Sequence, residues 1–187
     1  KLAKELIQNT DGARKNDKQT KIVYDYTKPP INPSAASYWF NGIDKALIAG
    51  KDIDEEDLVG TDSEFRGKGV SNSSIPYLLV SDYETRGING DWYKNDKKDF
   101  YHLQYNVGTS NKQTGDAGGA GVGKRILTDS SKIKSFLVHS IRSEDDSALI
   151  TGQSILFQHE LGDREYDYQG YFGIHTPDEK QNTRPVN

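Results

Sequence analysis

The chain of 187 residues contains no cysteine, no methionine and no long apolar run. Without cysteine it can form neither disulfide bonds nor thiolate metal sites, and its four histidines lack the spacing of metal ligands. No membrane-length segment or signal peptide is visible, so we predict a cytoplasmic protein with no membrane partner. The net charge of -4 means that the chain lacks the excess of positive charge that is typical of nucleic-acid-binding domains. We therefore expect contact with DNA, if any, only through regions outside this piece.

The missing methionine has a second consequence. A natural chain of this length normally carries several, and this one begins at Lys1 directly in a helical pattern. We therefore expect that methionines, loop residues or an N-terminal segment have been lost from the sequence. Some motif spacings would then be one residue short.

Aromatic residues are plentiful, with eleven Tyr, six Phe and two Trp, which argues against wholesale disorder. Only 33% of the residues are hydrophobic, so long polar loops are expected. Hydrophobic periodicity predicts a first helix, a strand, short helices with an acidic run, a buried strand, a long Gly-rich polar stretch and C-terminal strands. The first helix is predicted at 1–16, the first strand at 21–26, the short helices at 41–60 and the buried strand at 74–83. The polar stretch covers 84–124, and the C-terminal strands are predicted at 134–141 and 148–161. Their order predicts an α+β fold, a two-layer sandwich.

The most conspicuous motif is "GGAGVGK", from Gly118 to Lys124. It fits the first seven positions of a P-loop, G-x-x-x-x-G-K, but Arg125 stands where the magnesium-binding Ser or Thr belongs. The ten preceding residues contain no apolar run and cannot form the buried strand that a P-loop requires. A flexible surface loop is the simplest alternative. Because glycine-rich backbone before a helix frees N–H groups for anions, we predict phosphate binding on another scaffold.

The first helix offers a test of that prediction. Leu2, Leu6 and Ala13 fall on one side of the helical wheel, with Asn9 on the same side and Glu5 beside it. Glu5 and Asn9 are one turn apart, so both side chains can reach a common point. A buried Asn that satisfies backbone groups is the competing interpretation. If one residue has been lost between Asn9 and Asp11, the pattern becomes E-x-x-x-N-x-x-D on one face.

That pattern resembles the N-box of the gyrase, heat-shock chaperone, histidine kinase and MutL superfamily, whose ATP site is the Bergerat fold. The stretch "LLVSDYETRGINGD" resembles its D-x-G-x-G adenine box, with Asp82 after a strand and Gly87 and Gly90 following. The glycine stretch resembles its ATP lid. Within this superfamily, the chain most resembles bacterial MORC- and MutL-like ATP-binding proteins that are found near restriction and phage-defence genes. The motifs that carry this resemblance are "KELIQN", the glycine lid and "GQSILFQH".

The resemblance implies a fold and a set of roles. The fold would be a two-layer α/β sandwich whose mixed, mostly antiparallel sheet carries helices on one face. Residues 1–175 would form the ATP-binding domain, and 176–187 a linker or the start of a further region. Asp82 would accept a hydrogen bond from adenine, Asn9 would bind Mg²⁺, and Glu5 would act on the attacking water. Nucleotide contacts would come from the residues Gly87, Gly90, Gly118, Gly119, Gly121, Gly123 and Lys124.

The activity implied is Mg²⁺-dependent ATP binding with slow hydrolysis, in which ATP acts as a conformational switch and drives a homodimer. Three alternatives stay open. A chaperone-type ATPase would need client-binding domains, and a histidine kinase would need a phosphoacceptor His on an upstream hairpin. The third alternative is a non-enzymatic nucleotide-binding or interaction domain. The sequence departs from the pattern at Gly12, where an Asp is usual, and in the long spacing from Asp82 to Gly87.

Overall fold

The computed structural model describes residues 1–15, 18–71, 73–91, 96, 98–104, 122–175 and 183–184. The chain is an α+β protein. Five α-helices and nine short strands are defined in these residues, and every strand pairing among them is antiparallel. The helices are α1 Leu2–Gly12, α2 Pro33–Trp39, α3 Asn41–Ala49, α4 Asp99–Gln104 and α5 Val122–Asp129.

The strands form four small sheets within the described part of the chain. One contains β1 Lys21–Asp25 and β2 Leu79–Tyr83. A three-stranded sheet has the order β3-β4-β7, with β3 Ser135–Ile141, β4 Ala148–Ile155 and β7 Gln169–Phe172. The other two are hairpin-like pairs: β5 His159–Leu161 with β6 Arg164–Tyr166, and β8 Ile174–His175 with β9 Thr183–Arg184.

The main core lies where α2 and α3 pack against the segment that follows β4. Its buried members include Phe40, Leu47 and Phe157. Helix α2 begins with a cap that the sequence dictates, because Asn32 accepts a hydrogen bond from the N–H of Ala35 at 2.9 Å and Pro33 occupies the first helical position. Gly50 is needed beside this core, since an added Cβ would overlap the ring of Phe157.

The predicted buried strand at 74–83 is wrong in two respects. Regular pairing begins only at Leu79, and Pro76, which has no N–H to donate to a ladder, lies before it. Before it, Ile75 forms an isolated bridge with Ile31 through two backbone hydrogen bonds of 2.9 and 3.0 Å. The strand is also not buried: Leu79 is 42% and Tyr83 53% exposed.

The predicted strand at 148–161 is in fact two strands. Strand β4 stops at Ile155, and the chain turns to pair with another segment, where the N–H of Gln158 donates to the carbonyl of Val59 at 2.9 Å. Gly152 lies within β4, in register opposite Leu137. Its lack of a side chain allows close approach of the neighbouring strand, because a Cβ would overlap the carbonyl oxygen of Phe136.

Candidate functional site

Helix α1 is joined to strand β2 by a side-chain contact between Thr10 and Asp82. Thr10 is the buried residue of α1, at 5% exposure, and its hydroxyl donates to Oδ2 of Asp82 over 3.3 Å. The hydroxyl of Thr85 donates to the other oxygen, Oδ1, over 3.4 Å. The Asp82 carboxylate is exposed, so lone pairs remain on both oxygens for a further donor.

The end of α1 is held to the segment after β2 by the backbone. The N–H of Arg86 donates to the carbonyl of Ala13 at 2.8 Å, and the N–H of Lys15 donates to the carbonyl of Glu84 at 3.1 Å. The Arg86 guanidinium donates to the carbonyl of Gly12 at 2.9 Å, which satisfies a carbonyl at the negative end of the helix dipole. Two stretches of the chain more than 70 residues apart in sequence therefore form one local unit.

Gly87 and Gly90 lie directly beyond this junction, and both have positive φ, 69° and 116°. Gly87 packs on the end of β3, where a Cβ would overlap the backbone oxygen of Ile141. The neighbouring N–H of Ile88 donates to the hydroxyl of Ser140 at 2.9 Å. Thus Gly87 is explained by close packing against β3, whether or not it also contacts a ligand.

The Gly90 segment is anchored by Glu144, in the turn between β3 and β4. Oε2 of Glu144 accepts from the N–H of Gly90 at 3.0 Å, and Oε1 lies 2.6 Å from Nζ of Lys98. Arg142, which is 5% exposed, contacts the same carboxylate at 3.3 Å. The hydrogen bond from Lys98, then that from Gly90, holds the pKa of Glu144 below its ordinary value, and Glu144 in turn raises the pKa of Lys98. This network fastens the loop after Asp82 to the three-stranded sheet.

The two predicted residues of α1 have different environments. Glu5 is half-buried, as expected for a flanking position, whereas Asn9 is exposed. The expectation that Asn9 lies on the core-facing side is therefore wrong, and Thr10 takes the inward position. The interpretation of Asn9 as a buried residue that satisfies backbone groups is excluded for the same reason. Asp11 points away, and its Oδ1 lies 4.0 Å from Nη1 of Arg14 in an exposed pair.

The glycine-rich stretch falls largely outside the described residues. Gly118, Gly119 and Gly121 lie there, while Gly123 and Lys124 belong by their backbone to the first turn of α5. Helix α5 contacts α1, β3 and β4. The fold therefore brings the helix that carries Glu5 and Asn9 against the helix that begins at the end of the glycine stretch.

Two polar residues that the sequence analysis did not single out are also notable. One is Thr10. The other is Gln153 in β4, which is 1% exposed and whose Oε1 and Nε2 have no hydrogen-bond partner among the described residues. A nearby buried pair is satisfied, since Gln104 of α4 donates to the hydroxyl of Thr151. The signal that could have identified Gln153 was the polar pair Gln153-Ser154 within the sequence ALITGQSI, which begins and ends with apolar residues.

The described residues contain no group of three or more His, Asp or Glu side chains placed to hold a metal ion. None of the helices in the described ranges is both long and apolar enough to cross a membrane.

Comparison with known proteins identifies no relative of this chain, because no protein-family model, no curated protein and no solved structure matches it.

Proposed function

We propose that the chain binds ATP with Mg²⁺ and hydrolyses it slowly, and that ATP acts as a switch for its conformation and dimerisation. The observation that carries the proposal is the hydrogen bond between Thr10 and Asp82. It joins the helix of the first motif to the strand end of the second. A shared ATP site needs this proximity, and the two stretches are far apart in sequence.

Asp82 is the proposed adenine-binding residue. Two threonine hydroxyls orient its carboxylate, and its exposure leaves lone pairs free. A carboxylate fixed in this way can accept a hydrogen bond from the amino group of adenine. Guanine carries a carbonyl oxygen at that position, so the site would select ATP over GTP.

Glu5 and Asn9 are the proposed groups for the phosphate end of the nucleotide. The amide oxygen of Asn9 is a suitable ligand for Mg²⁺, and its exposure leaves it accessible to an ion. The ion would offset the negative charge of the phosphates. Glu5 stands one helical turn before Asn9, where its carboxylate can orient or deprotonate a water molecule.

The stretch from Gly118 to Lys124 is the proposed lid over the phosphates. Its glycines would supply backbone N–H groups, and Lys124 would offset phosphate charge. The contact between α1 and α5 supports this assignment, since α5 starts at the end of the stretch. Gly90 is less suited to a backbone contact than Gly87, because its N–H already donates to Glu144.

The resemblance of the three motifs to those of the ATPase superfamily also suggests a more specific fold and a biological setting. We propose that the small sheets and helices belong to a two-layer sandwich of the Bergerat type, within an ATP-binding domain of residues 1–175. The same resemblance favours a bacterial protein linked to DNA restriction or phage defence.

The decisive variant is Asp82→Asn. Calorimetric titration with a non-hydrolysable ATP analogue in the presence of Mg²⁺ should show saturable binding to the unchanged chain and none to Asp82→Asn. The matched control is Asp163→Asn, at an exposed position in the turn between β5 and β6, which should bind normally. Equal affinity in the two variants would refute the assignment of Asp82.

A further inference from the structure

Among the described residues, strand β1 is paired along only one of its two edges. Its residues Lys21–Asp25 pair with β2 on one side, and no strand in the described ranges pairs with the other side. The N–H and C=O groups of such an edge are a template for another strand. The occupant of this edge can be inferred from the side chains of β1.

The two faces of β1 have different neighbours. Tyr24 points toward α1, where its hydroxyl donates to the carbonyl of Ala3 over 3.4 Å. Because side chains alternate along a strand, Lys21, Val23 and Asp25 share the opposite face. They place a positive charge two residues before Val23 and a negative charge two residues after it. This arrangement is self-complementary.

Antiparallel pairing of two copies about a two-fold axis at Val23 gives a specific register. Val23 would lie opposite Val23 of the second copy, and Lys21 opposite its Asp25, twice over. Opposite charges at directly facing positions stabilise such pairs, and like charges destabilise them. A two-fold interface of this kind is closed, so it yields a dimer rather than a filament.

Both charges are held in place on each chain. The hydroxyl of Thr27 donates to Asp25 at 2.7 Å and lowers the pKa of this carboxyl from its ordinary value. Lys28 lies 3.5 Å from its other oxygen, in an exposed pair of the kind that contributes little. Nζ of Lys21 lies 5.7 Å from the ring centre of Tyr83 in β2.

We propose that a second copy of this chain adds to β1 by antiparallel pairing centred on Val23, which joins the two β1-β2 sheets into one sheet of four strands. The exposed apolar residues Leu79 and Tyr83, on the same face of β2, would continue that surface across the dimer. This pairing is distinct from the ATP-dependent dimerisation proposed above, because no residue of the proposed ATP site takes part in it. Its test is therefore independent of the proposed ATP site.

The test is sedimentation equilibrium of the 187-residue chain without nucleotide. The unchanged chain should form a concentration-dependent dimer. Lys21→Asp makes the edge wholly acidic and Asp25→Lys makes it wholly basic, so each variant alone should dimerise at least about tenfold more weakly. An equimolar mixture of the two variants should recover dimers, because an acidic edge then faces a basic one. The double variant Lys21→Asp/Asp25→Lys should dimerise like the unchanged chain.

Three results would overturn the proposal. The unchanged chain could remain a monomer up to its solubility limit, which is also the outcome if another segment of the same chain covers the edge. The charge reversals could leave its dimer unaffected. The mixture could fail to associate while circular dichroism shows that both variants are folded, which separates lost pairing from lost structure.

Discussion

The Thr10 hydroxyl donates a hydrogen bond to Oδ2 of Asp82 across 3.3 Å, between residues 72 positions apart. One partner is the inward residue of the first helix, and the other is near the end of a strand in the middle of the chain. A second hydroxyl, that of Thr85, reaches the remaining oxygen. The orientation of the Asp82 carboxylate is therefore set by two neutral donors, which leave its charge available.

Replacing Thr10 tests the value of that orientation. Thr10→Val keeps the shape of the side chain and removes the donor. We expect the affinity for an ATP analogue to fall about two- to tenfold, which corresponds to the loss of one partly buried hydrogen bond. Calorimetry measures the change. Thr27→Val, whose hydroxyl binds Asp25 on the neighbouring strand, is the control and should leave the affinity unchanged.

Glu5 is expected to matter for turnover and not for binding. Glu5→Ala should lower the hydrolysis rate about 10²- to 10⁴-fold, the usual contribution of a general base. Its affinity for the analogue should stay near that of the unchanged chain. Steady-state phosphate release measures the rate, and Glu56→Ala, in an exposed 3-10 turn, is the control. Undiminished hydrolysis in the Glu5 variant would leave only the claim of ATP binding.

Gly87 should be far less tolerant of a side chain than another glycine with similar φ. Gly87→Ala combines a strained backbone, φ 69°, with overlap on the oxygen of Ile141. Gly162→Ala has the same strain, φ 63°, but nothing lies within 4 Å of its Cβ. We expect a loss of about 1 kcal/mol in unfolding free energy for Gly162→Ala and several for Gly87→Ala. Urea denaturation would contradict this account if the two losses were equal.

Asp44 gives a prediction for acid pH. Burial raises the pKa of this carboxyl, but hydrogen bonds from the Ser71 hydroxyl and from the N–H groups of Val70 and Ser71 outweigh it, so the pKa lies below 3.8. A lowered folded pKa means stability that is present above the unfolded value and lost as the pH falls through the folded one. Asp44→Asn should thus cost about 1–2 kcal/mol near neutral pH.

The difference between wild type and Asp44→Asn should shrink below about pH 3.8. Other carboxyls with lowered pKa are present in both proteins and cancel. Urea denaturation at a series of pH values measures the difference, with Asp163→Asn as an exposed control. A gap that stays constant down to the acid transition would show that the Asp44 charge does not stabilise the fold.

Local patterns predicted several elements well. Short apolar and aromatic runs predicted β1 and β3 within one residue of their observed ends. Helical spacing predicted α1, but the helix ends at Gly12, four residues before the predicted end. The strand at 74–83 was misjudged because its apolar residues suggested burial, whereas regular pairing begins only at Leu79 and this residue is 42% exposed. A residue's burial depends on what packs above it, and this is not encoded in the strand itself.

The arrangement of the candidate site also depended on contacts that local sequence patterns do not specify. The wheel of α1 placed Asn9 inward from the positions of Leu2 and Leu6, but Thr10, about 100° further round, is the residue that meets Asp82. Which of the adjacent residues Asn9 and Thr10 faces inward is therefore linked to a contact with Asp82, 72 residues further along the chain. Likewise, the fit of Gly87 on Ile141 and the bond from Gly90 to Glu144 depend on a turn that no local pattern in 84–91 specifies.

Titration of the purified chain with a non-hydrolysable ATP analogue, with and without Mg²⁺, tests the central claim most directly. The account predicts saturable binding of one nucleotide per chain, tighter with Mg²⁺ than without it and much weaker for the corresponding GTP analogue. No binding of the ATP analogue in the presence of Mg²⁺, or equal binding of the two analogues, would contradict it.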